Sequence, residues 1–140
     1  MRRKTLIASG CALALIVVGC GSDNAAKRKT ACASAASAMG AYHRAGQNVG
    51  TDFFNRVGDE RVIVAAGAFR TRVEQLAPLT STGERKRLET LAGALEQHEK
   101  LLGALASHNL PVAHRYATPA FEQALESGQA SFEEICRPST

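Results

Sequence analysis

Apolar residues recur three and four positions apart along most of the chain beyond residue 25, and this spacing predicts helices. We expect a first helix over about 25–47 and a second from Thr51 or Asp52, as N-cap, to Ala77, where Pro78 stops it. No segment shows the alternation that is typical of a half-buried strand. The predicted buried faces are Cys32, Ala35, Met39 and Tyr42 in the first helix and Phe54, Val62, Ala65, Phe69, Val73 and Leu76 in the second.

The second half of the chain carries clearer signals for helix starts. Ser81 or Thr82 can cap a third helix with Glu84 in its first turn. A fourth helix is predicted to be split, because 111–117 can form a short turn before Thr118 caps a helix that starts with Pro119. The expected buried faces are Leu88, Leu91, Leu95, Leu102 and Leu105 in the third helix and Phe121, Leu125, Phe132 and Ile135 in the fourth.

Four helices with short connections predict an all-α fold, an up-and-down four-helix bundle closed by one disulfide. Composition agrees with this fold. Only 7 of the 140 residues are aromatic and none is Trp, so the core must consist mainly of small side chains, which suits closely packed helices. The length allows one domain.

The first residues read as an export signal. Arg2, Arg3 and Lys4 precede an apolar run over 6–18, which ends in Val17, Val18, Gly19 and Cys20. These last four residues resemble the lipobox of bacterial lipoproteins, and the resemblance implies cleavage before Cys20 and attachment of a lipid to its sulfur. The expected organisation is a signal peptide over 1–19, a lipidated tether over 20–24 and a helical domain over 25–140. The alternative is an ordinary signal peptide in which the cysteine occurs by chance.

Removal of the signal changes the charge of the chain. The full sequence has 17 basic and 13 acidic residues, and loss of Arg2, Arg3 and Lys4 leaves 14 basic residues against the same 13 acidic ones. This near neutrality argues against a nucleic-acid partner. A basic run over 27–29 lies close to the predicted lipid, where it can contact anionic headgroups or simply face solvent.

Counting the cysteines predicts one disulfide. Cys11 leaves with the signal and Cys20 carries the lipid, so Cys32 and Cys136 remain as the only thiols in an exported domain. In an up-and-down bundle the start of the first helix and the end of the fourth lie at the same end, as this pair requires. Metal binding by the two thiols is the alternative, but neither cysteine has a third ligand nearby.

The histidines are the candidates for chemistry near neutral pH. His98 takes a position between Leu95 and Leu102 where the helix calls for an apolar residue, so we expect partial burial and a hydrogen bond, with Tyr42, Tyr116 or a carbonyl as partner. The alternatives are a ligand or haem contact and simple exposure. The end of the bundle away from the lipid should collect five candidate ligand-binding residues, namely Tyr42, His43, His108, His114 and Tyr116.

No catalytic or metal-binding motif is present. The chain lacks a Gly-x-Ser-x-Gly elbow, a glycine-rich phosphate loop, Cys-x-x-Cys-His and His-Glu-x-x-His. The sequence therefore favours a non-catalytic lipoprotein, without a metal or cofactor, that binds an envelope protein or a small ligand at the extracytoplasmic face of the cell membrane. A haem or metal carrier and a structural envelope spacer are the alternatives.

Overall fold

The computed structural model describes residues 20–47 and 60–138, and these residues form helices and turns without a strand. The predicted signal over 1–19 lies outside them, as do 48–59 with the expected start of the second helix and Phe54. The helices are α1 (Cys20–Gln47), α2 (Glu60–Leu76), α3 (Thr82–Ala106), α4 (Leu110–Tyr116) and α5 (Pro119–Ile135), with a 3-10 turn over Ala77–Leu79 between α2 and α3. The all-α prediction is confirmed.

Local capping fixes where α3 and α5 begin. The Ser81 hydroxyl accepts a hydrogen bond from the Glu84 backbone N–H, and the Glu84 carboxylate accepts one from the Ser81 backbone N–H at 2.9 Å. Thr118 accepts from the Phe121 N–H at 3.2 Å, and Pro119 is the first residue of α5. Both helix starts are as predicted. The predicted split of the last helix before Thr118 is also confirmed, because α4 and α5 are separate helices.

The structure differs from the prediction at the start of α1. The sequence predicts a tether over 20–24 and a helix from about residue 25, but α1 already begins at Cys20. Asp23 lies in its first turn, where a negative charge is favourable, and pairs with Lys27 one turn later at 2.7 Å. No proline interrupts this stretch, so the helix continues through it.

The core lies between α1, α2, α3 and α5. α3 packs against α2, α4 and α5, and α1 packs against α2. α3 and α5 approach closely at Gly128, where an added Cβ would lie 2.9 Å from the Leu91 Cβ. The fully buried large side chains are Phe69, Val73, Leu76, Leu88, Leu91, Leu95 and Phe132, all of which were expected in the core.

One end of the bundle is joined by a covalent bond. Cys32 and Cys136 form the predicted disulfide, with an S–S distance of 2.02 Å. Nearby, the Arg28 guanidinium donates to both Glu84 carboxylate oxygens, at 2.7 and 3.2 Å, and to the Ile135 carbonyl at 3.1 Å. We call this region the disulfide end. It joins the first half of α1 to the start of α3 and the end of α5.

Within residues 20–47 and 60–138, no helix combines the length and apolarity needed to cross a membrane.

Candidate functional site

Away from the disulfide end, a tyrosine and a histidine form a partly buried pair. Tyr42 is buried on the inner face of α1, and its hydroxyl lies 2.5 Å from Nδ1 of His98 on α3. The two rings meet edge to face at 5.7 Å between centroids, and the His98 ring also contacts Phe121 at 5.8 Å. The predicted partial burial of His98 is confirmed, as is its hydrogen bond to Tyr42, one of the three partners considered.

Burial keeps this pair uncharged at neutral pH. Loss of solvent raises the pKa of the Tyr42 hydroxyl above its ordinary value of 10.0. It also lowers the pKa of His98 below 6.5, against the opposing pull of the Glu99 carboxylate. A neutral phenol and a neutral imidazole therefore share one hydrogen bond, and each satisfies a polar group of the other.

The Tyr42–His98 pair lies at a groove of about 520 Å³, which we call the Tyr42 groove. His43 lies on its exposed side, with its Nε2 atom 2.9 Å from the side-chain oxygen of Gln129 on α5. None of the lining residues is Asp, Glu, Lys or Arg, and none offers a serine or cysteine nucleophile. The lining residues are Tyr42, His43, Gly46, Gln47, Val62, His98 and Gln129.

The five predicted ligand-binding residues do not share one groove. Tyr42 and His43 line the Tyr42 groove, whereas Tyr116 lines a separate one of about 340 Å³ between α3 and α4, where its carbonyl accepts from Gln97 at 2.8 Å. His108 and His114 are exposed and line neither groove. The reason is the placement of α4, which packs against α3 and carries Tyr116 to a groove that α1 does not line.

The sequence analysis missed several residues of the Tyr42 groove, most clearly Gln129. It lies three positions before Phe132, so helical phase puts it close to the buried face of α5. That phase was readable from the sequence. Its partner His43, however, is 86 residues away in the chain, and only the packed helices bring the two together.

Among the described residues that line the groove, the two histidines are the side chains of a kind that commonly binds metals. His43 and His98 each already use one ring nitrogen, with Gln129 and Tyr42 respectively. In the part of the chain that the structure describes, no three or more His, Cys, Asp or Glu residues are grouped so that they could hold a metal ion. A haem or metal role therefore stays an alternative prediction, and at the Tyr42 groove His43 and His98 are the described residues that could take part in it.

No protein-family model, curated protein or solved structure matches this chain.

Proposed function

We propose that this protein is a bacterial lipoprotein, cleaved before Cys20 and anchored by a lipid at the extracytoplasmic face of the cell membrane. The mature chain is a non-catalytic binding module that receives an envelope protein or a small ligand at the Tyr42 groove. In this proposal α1, α2, α3 and α5 form an up-and-down four-helix bundle, and α4 is an insertion in the last connection.

The observation that carries the proposal is the Cys32–Cys136 disulfide. Such bonds persist in oxidising compartments and are rare where thiols are kept reduced. An exported chain agrees with the cationic start, apolar run and Val-Val-Gly-Cys sequence at its N-terminus. The pairing also leaves Cys20 as the one cysteine beyond the predicted signal that is free to take a lipid.

Binding is favoured over catalysis by the chemistry of the groove. Its most buried polar groups, Tyr42 and His98, are neutral and hydrogen-bonded to each other. Among the described residues, no carboxylate, serine or cysteine lines the groove to complete an acid-base or nucleophilic arrangement. The exposed His43 and Gln129 can exchange their mutual hydrogen bond for bonds to a bound molecule.

The test combines lipid analysis with crosslinking in cells. A photo-crosslinking amino acid replaces His43, and the membrane fraction is then isolated. We expect a diacylated chain that begins at Cys20, and a defined partner crosslinked through position 43. The Cys20→Ala variant should leave the membrane fraction.

A matched variant carries the crosslinker at Glu89, an exposed position on α3 that lies outside the Tyr42 groove. A specific partner should be captured from position 43 and not from position 89. An unmodified soluble chain would contradict the anchor. Equal capture from both positions, or none, would favour the envelope spacer. A Soret band or bound metal in the purified protein would favour the haem or metal carrier.

A further inference from the structure

The basic residues beyond the predicted signal are concentrated at the disulfide end. Of the four lysines beyond residue 19, three lie on the first half of α1 or the first turns of α3, namely Lys27, Lys29 and Lys86. The fourth, Lys100, lies far along α3 and pairs with Glu96 at 2.6 Å. Counted over 23–29, 84–89 and 133–137, this end has seven basic and five acidic residues, a net charge of +2, whereas residues 20–140 together carry 14 against 13.

Several of these cations are free to meet a partner. Lys29, Lys86 and Arg137 are exposed and have no carboxylate partner among the described residues. Arg85 also keeps its charge without a carboxylate, because its side chain bonds only to the Ala77 and Pro78 carbonyls. The unpaired acids at this end are Glu89 and Glu133. The remaining charges are paired, as Lys27 with Asp23, Arg28 with Glu84 and Arg87 with Glu134.

The basic residues of the disulfide end lie close to Cys20 in the chain, and this closeness to the proposed lipid indicates what they bind. α1 begins at Cys20, residues 23–27 are exposed, and Arg28 is the first described residue of α1 whose side chain bonds to another helix. Eight residues of helix rise about 12 Å. A lipid on Cys20 would therefore hold the disulfide end close to the membrane. The distance is comparable with the Debye length of physiological salt, roughly 8 to 10 Å, over which exposed charges still attract each other. A tilt of α1 would bring this end nearer.

We propose that the disulfide end docks on anionic phospholipid headgroups, chiefly through Lys29, Lys86 and Arg137. This inference rests on the lipid anchor of the proposed function, which makes the contact effectively intramolecular so that a few charges are enough. Each basic side chain near an anionic surface contributes an attraction equivalent to about a five-fold change in occupancy. The docked bundle directs its disulfide end to the membrane, with the Tyr42 groove further along α1.

The experiment measures how fast each lysine reacts with a water-soluble acetylating reagent. Lipidated protein is reconstituted in vesicles of phosphatidylcholine alone or with phosphatidylglycerol, and each lysine is read by mass spectrometry. We expect Lys29 and Lys86 to react about three- to five-fold more slowly in the anionic vesicles, with Lys100 unchanged as internal reference. High salt should remove the difference.

Charge variants test which residues carry the effect. Lys29→Gln should reduce the protection of Lys86 in anionic vesicles, whereas Arg44→Gln, at an exposed position on the same helix, should not. Equal acetylation rates of Lys29 and Lys86 in both vesicle types would overturn the docking. Slow acetylation of these two lysines in the absence of vesicles would also overturn it, because protein rather than lipid would then cover this end.

Intact mass of the reconstituted sample reports lipidation separately. If the chain proves unlipidated, the anchor is wrong, and docking is then tested by sedimentation of the unmodified chain with the same two vesicle types. Sedimentation with anionic vesicles that requires Lys29 and Lys86 would support docking. Its absence would overturn it.

Discussion

The two ends of this helical domain are held together by different physical means. At the disulfide end a covalent bond and a two-pronged ion pair join α1 to the start of α3 and the end of α5. At the Tyr42 groove, α1 meets α3 through one hydrogen bond and an edge-to-face ring contact between Tyr42 and His98, and α5 through the exposed contact of His43 with Gln129.

The difference shows which end is closed by a covalent bond and which is closed by noncovalent contacts among the described residues. At the disulfide end, a disulfide and a charge-assisted ion pair hold the first half of α1 against α3 and α5. Neither interaction involves a residue of the Tyr42 groove. Among the described residues, the groove contacts include neither a covalent bond nor an ion pair, and His43 is exposed to water. We therefore expect local opening to require less free energy at the Tyr42 groove than at the disulfide end.

The largest effect is expected from removing the disulfide at the disulfide end. Cys136→Ser opens a loop with a sequence separation of 104 residues, so the free energy of unfolding should fall by about 2 to 5 kcal/mol and the melting temperature by roughly 10 °C or more. Thermal unfolding followed by circular dichroism measures this. Cys32→Ser should cost a similar amount, and the double variant should cost little more than either. A loss below about 1 kcal/mol would show that the bridge is not what holds this end.

A smaller effect is expected from breaking the Tyr42–His98 pair. Tyr42→Phe leaves the partly buried Nδ1 of His98 without its partner, and should cost about 1 to 3 kcal/mol in denaturant unfolding. His98→Leu in the same chain removes the unpaired group, so the double variant should be more stable than the sum of the single losses predicts. Strict additivity of the two losses would mean that the two side chains are not energetically coupled.

The smallest expected effect is on the pH dependence of stability. The two ends should lose their contributions to the free energy of unfolding in different pH ranges. His98 has a lowered pKa in the folded protein, so the unfolded state binds its proton more readily. Its contribution is complete above pH 6.5 and is lost as the pH falls below that value. The pKa of Glu84 is lowered from 4.5 to about 2, because its carboxylate accepts hydrogen bonds from the Ser81 N–H and from Arg28, so its contribution is lost only between these two values.

Variants assign the two pH ranges. In chemical denaturation at a series of pH values, His98→Leu should flatten the change just below pH 6.5 and leave the acidic range intact. Glu84→Gln should do the opposite, since glutamine keeps the capping interaction with Ser81 and loses the charge. Glu89→Gln is the matched control, an exposed carboxylate on the same helix without a described ion-pair partner. If the pH profile of His98→Leu is unchanged, the loss of stability just below pH 6.5 is not caused by this histidine.

The sequence by itself determined the all-α class, the starts of α3 and α5, most of the core and the disulfide. Ser81 with Glu84 and Thr118 with Pro119 act within a single helical turn, so their effect on helix starts can be read without knowledge of the fold. The spacing of leucines and phenylalanines likewise reports a helix's buried face directly. Cysteine counting sufficed for Cys32 and Cys136, because Cys11 and Cys20 were assigned to the predicted signal and lipid and no other pair was left.

Only the tertiary structure decided which polar side chains meet. His43 reaches Gln129, and Arg28 reaches Glu84 and the Ile135 carbonyl, across separations of 56 to 107 residues. These contacts depend on how far each helix is rotated about its axis, and that rotation follows from the packing of whole faces, such as Leu91 against Gly128. Tyr116, His108 and His114 lie outside the Tyr42 groove for the same reason, because α4 docks on α3, and no periodicity within seven residues can specify where a short helix docks.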